Sequence, residues 1–323
     1  MALLEAFRSA MGELGLTGQL IATDITRASP AFHAADRGVL VPSAGHVEYV
    51  PKLLDIIRTE QIKLLVPLTD VDLRLLARRR DEFSALGCTV MVGSEQTITL
   101  CRDKARTNAL LSAGGLATIE TFTLDEFRAR PFYPCFVKPI RGSGGIGAGL
   151  LQDENDLRAH VATYGQMMLI QEYVPGREYT IDVYRSRDRR VRCVVPRQRL
   201  TVRSGEVEKG VTVMSDELID STLRLVDRLD DIWGVFCCQC RWPENGEPRF
   251  FEINPRFGGG APLAIHAGAN LPLYLLQDVL GLPITAEIKA FTPGTLMLRY
   301  DQAVFVHVET LDDLPGYHSP QFR

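Results

Sequence analysis

Acidic and amide side chains alternate with apolar ones in FFEINPRFGGG, residues 250–260. On a β-strand, Glu252 and Asn254 project from one face. In the preceding strand-like run, FCCQC, a hairpin would bring Gln239 beside Glu252. Carboxylate and amide oxygens are hard ligands that suit Mg²⁺, which keeps several waters and shares its ligands with phosphates. Because Arg256 and three glycines follow, we interpret the segment as a metal and anion site rather than a solvated strand face.

A glycine-rich loop, RGSGGIG at 141–147, follows a strand-like run and fits the dinucleotide pattern GxGxxG. That pattern requires a helix directly after the glycines, whereas residues 149–152 continue as a strand. The loop therefore joins two antiparallel strands, and a nicotinamide oxidoreductase is not favoured. No Gly-Lys-Ser/Thr follows either, so the loop is not a P-loop.

Such a loop can still bind phosphate, because its backbone N–H groups can approach the oxygens closely. Lys138, at the end of the preceding strand, adds a positive charge. The alternative is an exposed hairpin without a ligand. Of these two alternatives, we predict that the loop binds phosphate.

Arginines are frequent between 185 and 203. The run RSRDRR is typical of a solvated hairpin turn. In PRQRLTVR, by contrast, strand alternation predicts Arg197, Arg199 and Arg203 on one face. Arginine binds phosphate and carboxylate bidentately, so this face is either a site for an anionic intermediate or an outward-facing charged strand.

The first hundred residues alternate between helical and strand-like segments, which predicts an α/β domain with a doubly wound parallel sheet. The domain opens on a helix where such sheets normally open on a strand. Either its first strand is missing, which we expect, or the sheet is built differently. The predicted helices are 2–14, 46–60 and 71–83, and the predicted strands are 19–24, 38–42, 62–68 and 88–93.

After residue 98 the pattern becomes antiparallel α+β. Phe251 and Ile253 are expected to face the core. The predicted helices are 101–115, 154–164 and 215–230, and the predicted strands are 133–140, 147–152, 167–174, 178–185, 190–203, 234–242 and 248–255.

Composition narrows the class of protein. The chain has 323 residues, 46% hydrophobic and 24% charged, with a net charge of −4. This balance argues against a nucleic-acid-binding surface over the whole molecule, and no apolar run is long enough to span a membrane. The seven cysteines show no disulfide framework, and a Cys237-x-x-Cys240 redox motif in mid-strand is less favoured than packing. We expect a cytoplasmic protein.

Taken in order, four motifs resemble those of the ATP-grasp superfamily, most closely the group related to one half of the carbamoyl phosphate synthase large subunit. The motifs are DKARTNALL, FVKPIRGSGGIG, IQEYVPGREYTIDV and FFEINPRFGGG. The resemblance implies a pre-ATP-grasp domain (1–98), a helical connection (99–130), a small lid subdomain (131–174) and a catalytic subdomain (175–323).

The resemblance also implies ATP and Mg²⁺ (or Mn²⁺) as cofactors, with ATP between the lid and the catalytic subdomain. It implies that Arg256 and Lys138 contact the reacting phosphate and that Gln239, Glu252 and Asn254 hold the metal. From the strand pattern, Arg197 and Arg199 are added as catalytic candidates. The phosphates lie against Lys104, Lys138, Gly142, Ser143, Gly144 and Gly145, the adenine against Glu172, Tyr173 and Val174, and the ribose against Glu178.

The implied activity is that of a stand-alone ligase. A small-molecule carboxylate is phosphorylated by ATP, and the acyl phosphate is trapped by an amine or a similar nucleophile. Two alternatives stay open: phosphorylation of bicarbonate or carbamate, as in carbamoyl phosphate synthase, and a nucleotide-binding protein without turnover. A homodimer is expected from the superfamily.

Overall fold

The computed structural model describes residues 1–140, 147–203 and 205–308. The N-terminal region runs α1 (Ala2–Glu13), β1 (Ile21–Asp24), α2 (Pro30–Ala34), β2 (Arg37–Leu40), α3 (Tyr49–Glu60), β3 (Leu64–Leu65), α4 (Leu73–Arg78), α5 (Arg80–Ala85) and β4 (Thr89–Val90). Parallel pairing is confirmed for β1 with β2 and for β3 with β4. The described strands pair as two two-stranded sheets rather than one continuous sheet.

The helix predicted over 101–115 is two helices, α6 (Glu95–Arg102) and α7 (Lys104–Ala113). Asp103 ends the first with an extended backbone, and its carboxylate accepts hydrogen bonds from the N–H groups of Ala105 and Arg106. An aspartate in this position is an N-cap, which satisfies donors that have no partner within the helix. The break places Lys104 at the first position of α7.

The lid sheet, as we call the four-stranded antiparallel sheet, has the order β5-β8-β6-β7. It comprises β5 (Thr121–Thr123), β6 (Cys135–Pro139), β7 (Gly149–Leu151) and β8 (Met168–Glu172), with α8 (Leu124–Ala129) and α9 (Glu154–Tyr164) packed on it. Strand β5 comes from the stretch 99–130 that the sequence assigns to a helical connection. The described part of the predicted pair 133–140 and 147–152 is antiparallel, as expected.

The large sheet has the order β13-β12-β9-β10-β11-β14, with antiparallel neighbours. Its strands are β9 (Arg177–Arg185), β10 (Val191–Arg203), β11 (Glu206–Thr212), β12 (Gly234–Trp242), β13 (Arg249–Asn254) and β14 (Leu296–Leu298). The helices are α10 (Asp216–Val226), α11 (Ala261–His266) and α12 (Leu271–Val279). The sequence predicted four of these strands and α10, but not β11, β14, α11 or α12.

The two faces of the large sheet have different neighbours. One face, with Ile181, Phe236 and Ile253, packs against α10. The other begins as apolar core, where Tyr184 and Val235 meet Phe7 of α1 and residues of α11 and α12. Farther along, this second face becomes polar, and it is there that the predicted metal ligands and Glu178 lie.

Candidate active site

Strand register collects the predicted metal ligands on one face. Gln239 lies opposite Glu252 on β13 and opposite Thr180 on β9, and Cys237 lies opposite Asn254. Because side chains alternate along a strand, Gln239, Glu252 and Asn254 share the polar face. The predicted placement of Gln239 beside Glu252 is confirmed.

The amide of Gln239 lies between an acceptor and a donor. With its nitrogen toward Glu252 Oε2 (3.1 Å) and its oxygen toward Arg199 Nη1 (3.1 Å), both hydrogen bonds are made. Rotated by 180°, the amide would turn its oxygen to the carboxylate of Glu252, and two oxygens side by side require a cation. The donor set of one carboxylate and two amides suits Mg²⁺ that also binds phosphate oxygens. Among the described residues, no group of three His, Cys, Asp or Glu side chains forms a metal site.

Lys138 of β6 lies beside this face. Its side chain is 7% exposed, and Nζ lies 5.3 Å from the ring centroid of Phe251. Burial lowers the pKa of Lys138 to about 8, a shift that the negative charge of Glu252 opposes and the positive charge of Lys104 reinforces. The two predicted phosphate-binding lysines, Lys104 and Lys138, therefore lie close enough for their charges to interact.

The expectation that Phe251 faces the core is wrong. The pairing of β12 with β13 shifts register between Gln239 and Cys240, which pair with Glu252 and Phe250. Phe251 is left over as a β-bulge, and its ring lies under Lys138. Ile253, in contrast, lies in the core as predicted.

The glycine loop adjoins Lys138 in the chain. Gly142, Ser143, Gly144 and Gly145 lie outside the described residues. Gly147, where the description resumes, has φ of +71°, a conformation that favours glycine. Its carbonyl lies 3.1 Å from Nε2 of His160 on α9.

The predicted adenine segment ties the lid sheet to the large sheet. The carboxylate of Glu172 accepts hydrogen bonds from Arg249 Nη1 of β13 (2.5 Å) and from the backbone N–H of Glu120 (3.1 Å). Val174 is buried and Tyr173 is 38% exposed. Since the side chain of Glu172 is occupied in this way and its backbone N–H donates to the carbonyl of Glu120, the backbone at 173–174 is better placed to contact a base.

Glu178, the predicted ribose contact, lies between two arginines. Oε2 accepts a hydrogen bond from Arg241 Nη2 at 3.1 Å, and Oε1 lies 3.2 Å from Arg199 Nε. The second contact is an ion pair only, because this buried N–H has no hydrogen-bond partner among the described residues. Arg199 therefore links Glu178 to Gln239 along the polar face.

The position of Arg197 in the structure does not fit the catalytic role predicted for it. The residue is 1% exposed, and its guanidinium binds the buried carboxylate of Asp182 through Nε (2.5 Å) and Nη2 (3.0 Å). The strand places Arg197 on the predicted face, but Gly258 and Gly260 cover it: a Cβ at Gly260 would lie 2.1 Å from Nη1. A guanidinium enclosed in this way stabilises the sheet and cannot reach a substrate.

Arg203 also departs from the predicted row of arginines. Two register shifts interrupt the pairing of β10 with β11 between Arg199 and Val202, so the alternation does not continue to Arg203. Its guanidinium instead binds the carboxylate of Asp301 at 2.7 and 3.1 Å. Of the three guanidinium groups, that of Arg199 is the one that contacts other predicted site residues, Glu178 and Gln239.

Arg256 has a partner that the sequence did not predict. Its Nη2 and Nε donate to the two carboxylate oxygens of Asp70 at 2.7 and 3.1 Å, and Nη1 donates to the carbonyl of Phe257. Asp70 lies in the loop after β3. The sequence carried one signal for Asp70, its position after a predicted strand, because ligands of α/β sheets bind at the carboxyl ends of parallel strands.

The seven cysteines are buried and free, as the packing interpretation predicts. Burial raises the pKa of Cys237 to about 12, with the charge of Asp182 adding to the shift. A thiol so buried stays protonated, which does not support the alternative of a redox pair with Cys240.

Two family models match the chain. Residues 165–302 match "ATP-grasp in the biosynthetic pathway with Ter operon", and residues 1–91 match "PylC-like, N-terminal domain". Residues 165–302 therefore belong to an ATP-grasp domain. The region that precedes the ATP-grasp fold is the expected N-terminal domain, so the predicted order of the two is confirmed.

Sequence relatives include ATP-grasp enzymes of two kinds. A D-alanine–D-alanine ligase of Acidiphilium cryptum is 32% identical over 96 residues, which is 28% of this chain and 32% of that protein. The N-terminal section of a carbamoyl phosphate synthase large chain from Methanopyrus kandleri is 28% identical over 186 residues, 50% of this chain and 33% of that protein. The chain thus aligns with about a third of the length of these relatives.

A solved structure shares the fold. The biotin carboxylase domain of Hydrogenobacter thermophilus 2-oxoglutarate carboxylase, in complex with MgADP, ADP and bicarbonate, superposes with a TM-score of 0.71 at 16% identity. The match covers 90% of this chain and 70% of that chain. It supports an ATP-grasp fold that includes the N-terminal region.

No helix in the described part of the chain is long and apolar enough to cross a membrane.

Proposed function

We propose that the chain is an ADP-forming ATP-grasp ligase that joins a small carboxylate to an amine. The observation that carries the proposal is the convergence of Lys138, Glu252 and Gln239 on one sheet face, with Lys138 buried beside the carboxylate. A buried lysine and a partly paired acid are typical of a site built for phosphate and a divalent cation.

ATP would lie between the lid sheet and this face. Lys104 and Lys138 would bind its phosphates together with the loop residues 142–145, the backbone of 172–174 the adenine, and Glu178 the ribose. Glu252, Asn254 and a rotated Gln239 would hold Mg²⁺ or Mn²⁺, which supplies charge neutralisation at the phosphates. Glu178 would have to loosen its contact with Arg199 or Arg241 to accept ribose hydroxyls.

The chemistry is transfer of a phosphoryl group followed by acyl transfer. A carboxylate oxygen of the substrate attacks the γ-phosphorus, and the bond to the departing ADP breaks. The amine then attacks the acyl carbon, and phosphate leaves. Lys138 and Arg256 would neutralise negative charge while the groups are held in line, since catalysis of phosphoryl transfer is mainly positioning and electrostatics.

The test is ADP release from ATP and Mg²⁺ with a panel of amino acids, small carboxylates, amines and bicarbonate. We expect one carboxylate plus one amine to stimulate ADP release, and Glu252→Gln to reduce it by about 100-fold or more. Glu247→Gln is the matched control, because Glu247 is exposed in the turn between β12 and β13. Equal loss in both variants, or no stimulation by any carboxylate, would reject the ligase.

The second candidate is phosphorylation of bicarbonate or carbamate. It is favoured by the similarity to a carbamoyl phosphate synthase large chain over half of this chain. Stimulation by bicarbonate alone, without a need for an organic carboxylate, would support this candidate. ATP binding without turnover under every condition would support a nucleotide-binding protein instead.

A homodimer stays a prediction, which light scattering of the purified protein would test.

A further inference from the structure

The ion pair between Asp70 and Arg256 joins the two halves of the site. Asp70 belongs to the N-terminal domain, and Arg256 follows the metal-ligand candidate Asn254 by two residues. Both oxygens of the carboxylate accept hydrogen bonds from the guanidinium, at 2.7 and 3.1 Å. The side chains of Arg256 and Asp70 are only 15% and 19% exposed.

Neighbouring contacts hold the Asp70 loop in place. The buried carboxylate of Asp72 accepts hydrogen bonds from the Tyr49 hydroxyl (2.8 Å) and from Thr69 Oγ1 (3.0 Å). Arg102, the last residue of α6, donates to the backbone carbonyl of Asp70. A side chain fixed on both sides is preorganised to bind a ligand.

Charge balance limits what can bind Arg256. A ligand that carries only a negative charge would displace Asp70 and leave a largely buried carboxylate without its partner, which is costly. A ligand that carries both an anionic and a cationic group would satisfy both side chains at once. A zwitterion has this property, because its ammonium group replaces Arg256 as the partner of Asp70.

We propose that Asp70 binds the ammonium group of an amino acid whose carboxylate faces Arg256. This inference rests on the proposed function and specifies its carboxylate substrate as a zwitterionic amino acid. Asp70 is then a specificity residue. It selects amino acids over simple acids, and it holds Arg256 in place before the substrate arrives.

The test compares Asp70→Asn with the wild type by isothermal titration, in the presence of a non-hydrolysable ATP analogue. The probes are the twenty common L-amino acids, D-alanine, and the deaminated counterpart of each binder, such as propionate for alanine. We expect Asp70→Asn to weaken amino-acid binding about 10- to 100-fold, the effect of losing a hydrogen bond to a charged group. The deaminated acid should bind the variant as well as, or more tightly than, the wild type.

Opposite effects on the two probe classes separate recognition from a structural role, which would weaken both. Asp231→Asn is the matched control, since Asp231 forms a more exposed interdomain ion pair with Arg80 at 3.4 Å. Equal loss for both classes, no loss, or no amino-acid binding to the wild type would overturn the inference. If simple carboxylates drive ADP release in the wild type as well as the matching amino acids do, the ligase stands and this inference fails. If amino acids bind through Asp70 and no ADP is released, the inference stands and the ligase fails.

Discussion

Burial of Lys138 disfavours its positive charge. We therefore expect the binding of ATP to depend on pH. Burial lowers the pKa of Lys138 from 10.5 to about 8, so its positive charge is lost as the pH rises through about 8. We expect the affinity for ATP in metal-free buffer to fall about ten-fold between pH 7 and pH 9, because about a tenth of the lysine stays protonated one unit above its pKa. Titration of ATP at the two pH values measures this.

Lys138→Arg provides the control, since arginine stays charged over this range. The variant should bind ATP with little change between pH 7 and pH 9. A wild-type affinity that is independent of pH would contradict a role for the Lys138 charge in phosphate binding. Folding is affected in the opposite sense: between about pH 8 and 10.5 the unfolded state binds a proton that the folded state does not, so stability rises with pH in this window.

The buried pair of Asp182 and Arg197 predicts a large effect on stability. Asp182→Ala would leave the enclosed guanidinium without its partner, which should lower the free energy of unfolding by about 3–5 kcal/mol. Urea denaturation measures the change. Asp55→Ala, which breaks an exposed pair with Lys52, should cost less than about 1 kcal/mol. Similar losses in the two variants would contradict the structural role of Arg197.

At the scale of elements, the break between α6 and α7 sets the position of Lys104. Asp103→Ala removes the side chain that caps α7 and should lower stability by about 0.5–2 kcal/mol. Because Lys104 is the first residue of the helix, fraying should also weaken ATP binding. Asp103→Asn retains a capping oxygen and should behave like the wild type. Thermal denaturation and ATP titration of the three proteins test this.

The strands also show what the sequence could and could not predict. Alternation places Glu252 and Asn254 on one face, but Gln239 lies opposite Glu252 only because the bulge at Phe251 shifts the register of the hairpin. Bulges break the same rule at Phe251 and between Arg199 and Val202, because an extra residue in one strand changes which face the next residues occupy. Burial of Arg197 depends on Gly258 and Gly260, some sixty residues away, and the contact of Asp70 with Arg256 crosses two domains. No local pattern contains such contacts.

At the scale of the whole molecule, the N-terminal helix is part of the C-terminal core. Phe7 of α1 packs edge to face against Phe257, with ring centroids 6.0 Å apart. Both belong to a cluster that includes Tyr184 of the large sheet and Leu275 of α12. Helix α1 and the large sheet therefore share one apolar core, and the two regions should unfold together.

Intrinsic fluorescence can test this coupling, because both tryptophans, Trp233 and Trp242, lie in the C-terminal half. Phe7 is only 8% exposed, so Phe7→Ala should lower the free energy of unfolding by about 3–5 kcal/mol. If α1 and the large sheet share one core, the urea midpoint reported by tryptophan fluorescence should also fall in Phe7→Ala. Val47→Ala, at a position 81% exposed, should leave the midpoint unchanged. A tryptophan midpoint unmoved by Phe7→Ala would mean that the C-terminal half unfolds independently of α1.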